Sequence, residues 1–197
     1  MATAFTNSEK ELIRNKLQEA AKECLGKYGV KKTTVDQLVQ MAGISKGAFY
    51  NFYEKKEILF FHVLEDYQQS LVAELTKKLE KESNIGIAQF SDMIFGLYQH
   101  VRQSFLMNII QQQELEYLMR KLPKELLMNH HSLDDMFMEN VFSYIKVKED
   151  VTISVIAASL RAIFMSMMYI DEIGEKEFDE VLKFLIKGLA LQIIEEE

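Results

Sequence analysis

Between Gly43 and Leu59 the chain reads GISKGAFYNFYEKKEIL, a stretch dense in groups that donate hydrogen bonds to phosphate and to base edges. Lys46 follows Ser45, which has the side chain of a helix N-cap, and a lysine at the start of a short helix can reach guanine O6 and N7. The Ala48 methyl suits a thymine methyl. The Tyr50 hydroxyl and the Asn51 amide suit phosphate oxygens, as do Thr33 and Thr34 upstream. Lys55 and Lys56 open the next helical pattern, where ammonium charge and the helix dipole both favour an anion. Gly47 is a poor helix former, at a cost of about 1 kcal/mol, but it allows close approach of another surface to the backbone.

Short helices must hold these groups in place. Thr34 with Gln37 three positions on is a capping box, and Val35, Leu38, Val39 and Ala42 then recur at helical spacing until Gly43 stops the run. Ser45 caps a second short helix expected to reach about Phe52. Two short helices joined by a glycine-containing turn form a helix-turn-helix. Neither helix can stand alone. A preceding helix, expected to be capped by Ser8 with Glu11 and ended by Gly26 and Gly29, packs on them together with the start of a long helix over about residues 55–81. Ile13, Val35, Leu38, Ile44, Phe49 and Phe52 supply the small core, which turns Lys46, Gly47, Tyr50 and Asn51 outward.

Composition agrees with helices throughout. One proline and 8 glycines in 197 residues leave few breakers, and no strand alternation is visible. Net charge is -7 overall, but residues 1–60 carry about +3 and the remainder about -10. A mildly basic head on an acidic body can still hold phosphate, because salt screens charges beyond about 8–10 Å. Cys24 is the one cysteine, so the chain forms no internal disulfide and no thiolate metal cluster, which fits a reducing, cytoplasmic setting. The segment Val151 to Ile170 approaches membrane-spanning length. Arg161 near its middle, with Asp150 and Asp171 at its ends, argues for a buried or interface helix and against a membrane partner.

Residues of about 8–60, above all TTVDQLVQMAGISKGAFYNFYEKKEIL, resemble the DNA-binding domain of the tetracycline-repressor (TetR) family. The resemblance lies in Thr34, the turn Ala42 to Gly47, the aromatic run Phe49-Tyr50-Asn51-Phe52, and Lys56-Glu57-Ile58-Leu59. It implies that Tyr50 and Lys56 clamp phosphates and that Lys46 enters a groove. Three positions depart from the family pattern: Lys55 where a Ser or Asn cap is usual, Ala48 where threonine is common, and Tyr53 where phenylalanine is frequent. The implied fold is all-α, with a helix-turn-helix DNA-binding domain over 1–55 and a helical effector-binding and dimerisation domain over 56–197.

Beyond residue 60 the resemblance is architectural. Helices are expected over about 87–101, from a Ser132 cap to about Val147, over 151–170 and over 175–194. The implied effector pocket in the middle helices takes Phe95, Tyr98, Arg102, Phe105, Tyr117, Met136, Phe137, Phe164 and Met168, suited to an apolar or amphipathic small molecule. The implied homodimer uses the last two helices through Val155, Ala158, Ala162, Val181, Leu185, Gly188 and Leu189. His130 and His131, near Asp134, Asp135 and Glu139, match no standard zinc spacing, and we expect no metal and no cofactor. With no phosphate loop, nucleophile elbow or Cys/His pair, catalytic residues are not expected and neither is an enzyme. The expected protein is therefore a regulator that binds double-stranded operator DNA and is released by a small effector. The alternative is a helical small-molecule-binding protein with a vestigial DNA-binding head.

Overall fold

The structure, a computed structural model, describes residues 5–82 and 85–195, and within one helix it leaves the side chains of residues 129–137 undescribed. The described residues are helical, apart from turns and a single antiparallel bridge, Val147 with Ile194. In chain order the helices are α1 (Asn7–Lys32), α2 (Val35–Ala42), α3 (Lys46–Tyr50), α4 (Lys56–Leu79), α5 (Ile87–Arg102), α6 (Leu106–Gln111), α7 (Leu115–Arg120), α8 (Lys124–Phe142), α9 (Ile153–Ser166), α10 (Ile170–Ile173) and α11 (Phe178–Ile193). By packing, the chain divides into two units, Met1–Tyr67 with Ser104–Leu122, and Gln68–Gln103 with Pro123–Glu197.

The first unit is built on α1. Its N-cap is Thr6 and not Ser8: the Thr6 hydroxyl accepts from the Glu9 N–H, and the Glu9 carboxylate accepts from the Thr6 N–H at 2.8 Å. Phe5, just outside the helix, packs on Phe52 at 6.1 Å between ring centroids, which favours this start over the overlapping Ser8 box. Leu17, Ala21, Cys24, Leu25, Leu38, Phe49, Leu59, Phe60 and Val63 are fully buried in one cluster, joined by Ile109 of α6 and Leu118 of α7. Those two residues explain why the unit runs past the boundary expected at 55. The short helices after Ser104 have apolar sides that complete the α1 core. Asn108 Nδ2 adds a hydrogen bond to the Leu25 carbonyl at 2.7 Å.

Gly26 does not end α1 but lies inside it, and the break comes at Gly29, with φ 77° and ψ -173°. That conformation is essentially reserved for glycine. Space enforces it as well, since a Cβ on Gly29 would lie 2.5 Å from Glu114 Oε2. Glu114 is 4% exposed. Its carboxylate accepts from the Val30 N–H at 2.5 Å and the Lys31 N–H at 3.3 Å, two donors that the break in the helix would otherwise leave unmet. Gln113 (φ 52°), which ends the α6 turn, brings Glu114 to this position.

In the second unit, α5 buries Phe90, Ile94, Tyr98 and Val101, and α11 buries Phe178, Leu182, Ile186 and Ala190; the two helices pack together. The helix expected from Ser132 begins earlier, at Lys124. Pro123 sets the entry with φ -59°, a position where its missing N–H costs nothing, and the helix runs through Ser132 to end at Phe142 rather than Val147. α9 is capped by Thr152, whose hydroxyl accepts from the Val155 N–H. It gives way to a 3₁₀ turn at Met167–Tyr169 before α10. Ile153–Ile173 is long and apolar enough by length and composition to cross a membrane, yet Arg161 sits on its exposed side and Ile156, Ala157, Ile163 and Met167 on its buried side. That pattern is an amphipathic helix of a packed unit.

Candidate nucleic-acid interface

The helix-turn-helix forms as its capping residues dictate. Thr34 caps α2, and its N–H donates to Gln37 Oε1 at 2.8 Å while the Gln37 N–H donates to Thr34 Oγ1 at 3.2 Å. Gly43 ends α2 in the left-handed conformation, φ 68°. Ser45 Oγ accepts from the Ala48 N–H at 3.1 Å and starts α3, which ends at Tyr50, with Asn51 as its C-cap, rather than at Phe52.

Phe49 points inward and is fully buried, while its neighbour Tyr50 is 52% exposed and meets the Phe49 ring edge-on at 5.4 Å. This contact holds the phenol in place without burying its hydroxyl. Lys46, Gly47, Tyr50 and Asn51 all lie on the exposed side of α3. A methyl on Gly47 would meet nothing closer than Ser45 Oγ at 4.0 Å, so packing within the chain does not require glycine there. Lys46 Nζ pairs with Asp36 Oδ1 at 2.9 Å, and that hydrogen bond raises the lysine pKa. The pair is exposed, so exchanging the carboxylate for another anion costs little. Tyr53 is buried against Phe49 and His62, so its departure from the family pattern lies in the core and not on the surface.

Three of the expected phosphate donors make contacts within the chain. Thr33 is fully buried, and its hydroxyl donates to the Gly29 carbonyl at 2.6 Å, which removes it from any surface contact. Lys56 Nζ donates to the carbonyls of Val30 at 2.8 Å and Thr33 at 2.5 Å, at the end of α1. Burial holds its ammonium below the usual lysine pKa, against the pull of Glu57 and Glu114. Lys55 Nζ donates to the carbonyl of Lys121. The break at Gly29 is thus held from both sides, by a carboxylate on its N–H groups and an ammonium on its carbonyls. Sequence reasoning missed Glu114, which lies 84 positions from Val30 and has no local motif.

The residues expected around an effector are not all brought together. Phe105 and Tyr117 belong to the first unit: Phe105 meets Tyr67 at 5.3 Å, and Tyr117 lies beneath the ammonium groups of Lys31 and Lys121. Their apolar faces serve α1, which is why they leave the set. In the second unit Tyr98 is buried, its hydroxyl donates to the Leu160 carbonyl at 2.7 Å, and its ring lies 6.5 Å from Phe164. Arg102 pairs with Asp179 and stacks over Phe178, so its charge is answered within the chain. Phe95 lies beneath Lys183 and Met168 is half-buried. Met136, Phe137, His130 and His131 have side chains outside the described set. An open trough of about 630 Å³ in the first unit, lined by Lys16, Glu19, Met41 and Gly43 among others, holds none of the expected effector residues.

Of the residues expected at a dimer interface, Val155, Ala158, Ala162, Leu185 and Gly188 are exposed, whereas Val181 and Leu189 are half-buried. Phe184, 80% exposed, was not anticipated. Its spacing to Gly188 and Leu191, i+4 and i+7, was the available signal.

Residues 17–63 match the family of bacterial regulatory proteins described as the tetR family. The chain is 32% identical over 60 residues to the HTH-type transcriptional repressor Rv1474c of Mycobacterium tuberculosis, covering 30% of this chain and 32% of that protein. It is 23% identical over 92 residues to the nucleoid occlusion factor SlmA of Haemophilus ducreyi, covering 45% of this chain and 46% of that one. The matches therefore span about a third to a half of these relatives. A TetR family transcription regulator from Marinobacter aquaeolei VT8 shares the fold, with a TM-score of 0.63, 12% identity, and coverage of 97% of this chain and 100% of the other.

The placement of Lys56 has a measurable consequence. Lys56→Met removes a charged donor from the carbonyls of Val30, Lys31 and Thr33 and is expected to lower stability by about 1.5–3 kcal/mol in urea denaturation. A variant as stable as the parent would return Lys56 to the role of a solvent-facing phosphate donor.

Proposed function

We propose that the chain is a homodimeric, sequence-specific DNA-binding regulator of the tetR family, a reading supported by the family match over residues 17–63 and by the shared fold. It acts as a repressor that a small apolar or amphipathic effector releases from its operator. The observation that carries this reading is the outer side of α3. A five-residue helix, capped by Ser45 and anchored by Phe49, presents Lys46, Gly47, Tyr50 and Asn51 to solvent, with no packing role for Gly47 and only the exposed Asp36 pair on Lys46. A vestigial head has no reason to keep that set together. Lys46 supplies base-edge contact, Tyr50, Asn51 and Thr34 supply phosphate contact, and the exposed α2 N-terminus favours the same anion.

Dimerisation is supported by the outer faces of α9 and α11. Val155, Met165, Phe184, Leu185 and Leu191 are exposed there beside the small residues Ala158, Ala162 and Gly188. Exposed apolar surface of this kind marks an interaction site, and small residues let helices approach closely. Two heads related by a two-fold axis then read two half-sites. An effector that binds better to a dimer with its recognition helices wrongly spaced lowers DNA affinity by the same coupling factor by which DNA lowers effector affinity.

Fluorescence anisotropy with DNA from upstream of the protein's own gene, beside a scrambled duplex, tests the reading. Binding at least about 1000-fold tighter to the former is expected. Tyr50→Phe should weaken binding to both duplexes by the same factor, whereas Lys46→Ala should also narrow the gap between them, by about 1–3 kcal/mol of discrimination. Equal effects of the two substitutions on both duplexes would overturn the assigned roles. In sedimentation velocity, Phe184→Glu is expected to weaken self-association by at least about 100-fold, from the lost burial of a phenylalanine worth about 3 kcal/mol. An unchanged dimer would place the interface elsewhere.

A further inference from the structure

Adjacent basic residues occur at four places in the sequence, and three of them, Lys31-Lys32, Lys55-Lys56 and Arg120-Lys121, fall in the first unit. They come from three different elements, the end of α1, the start of α4 and the end of α7, yet one lysine of each pair comes to the same place, Lys31 and Lys121 at one ring and Lys55 at the Lys121 backbone. Lys31 Nζ lies 5.2 Å and Lys121 Nζ 5.5 Å from the centroid of Tyr117. Lys55 Nζ donates to the carbonyl of Lys121. The ammonium groups of Lys31 and Lys121 are therefore no more than about 11 Å apart, close to one Debye length at physiological salt.

The acids of α7 do not neutralise this cluster. Glu116 is taken by Arg120, and Glu114 is buried against the Val30 and Lys31 N–H groups. Among the described residues, Lys31, Lys55 and Lys121 make no ion pair within 4 Å. Lysines at helix C-termini offset exposed carbonyls, which accounts for Lys31 and Lys121 singly. Lys55 likewise answers the Lys121 carbonyl at the end of α7, and what helix-end capping leaves unexplained is the convergence of three lysines from three elements. The cluster also continues the candidate DNA surface: Lys31 stands three residues before Thr34, and the carbonyls that flank it, of Val30 and Thr33, are held by Lys56.

Resting on the DNA-binding reading above, we propose that Lys31, Lys55 and Lys121 form a backbone-phosphate site beside the helix-turn-helix. α7, drawn from the middle of the chain, is then part of the DNA-binding surface. The site contacts phosphate only. It adds affinity and salt dependence on every sequence and adds no base preference.

The test is a salt series on the intact protein, from about 50 to 200 mM, with the upstream duplex and a random one. For Lys121→Ala the slope of log affinity against log salt is expected to fall in magnitude by about 0.9, with affinity for both duplexes reduced by the same factor of about five. Lys31→Ala should act in the same way, and Lys121→Arg should restore the slope. Wild-type slope and affinity in Lys121→Ala and Lys31→Ala, even with a lowered melting temperature, would reduce these lysines to helix-end residues and overturn the proposal. If the wild-type protein itself shows no salt-dependent binding to either duplex, the regulator reading fails and takes this site with it, an outcome distinct from a slope that the substitutions leave unchanged.

Discussion

The grip on residues 29–33 governs the rest of the first unit. A long first helix must stop abruptly so that α2 can start at the angle a helix-turn-helix needs. The stop is a glycine in a conformation few other residues adopt, and it opens backbone donors and acceptors inside a fully buried cluster. Each opened group costs about 1–3 kcal/mol if left unmet. Glu114 meets the N–H side, Lys56 meets the carbonyl side, and the Thr33 hydroxyl closes the turn onto Gly29. These three come from α7, α4 and the α1–α2 junction, so one short backbone segment fixes three elements against each other.

What faces outward follows from what that grip holds inward. With Thr33 and Lys56 committed to the break, the proposed phosphate contact on this edge rests on Thr34 and the α2 N-terminus. The proposed base contact rests on the first turn of α3, which Ser45 caps and Phe49 anchors. The same chemistry that makes Lys56 a poor free donor makes it a good structural one: an ammonium partly removed from water is worth more against a carbonyl than a solvated one is.

Local chemistry was legible in the sequence where a residue's partner lies within four positions. The Thr34–Gln37 box, the Gly43 stop and the Ser45 cap all formed as their spacing demanded. Ser8 failed as a cap although its own spacing was equally good, because Thr6 with Glu9 offers the same box and Phe5 gains a long-range contact with Phe52. Ser132 failed for a related reason, since Pro123 already begins a helix that runs through it. Glu114, and the membership of α6 and α7 in the first unit, were not legible. Both depend on contacts across some 80 residues, and the short apolar sides of Ile109 and Leu118 carry no period long enough to show where they pack. Aromatic type alone misplaced Phe105 and Tyr117, whose rings serve the core of the first unit and the lysines around it.

The central claim is that one DNA-binding surface is assembled from α2, α3, the start of α4 and the distant α7. Amide hydrogen exchange on the intact protein, with and without duplex DNA at low salt, tests it most directly. The account predicts slowed exchange over residues 34–56 and, in the same titration, over 115–121. Protection confined to the second unit, or no protection in any segment at saturating DNA, would contradict it.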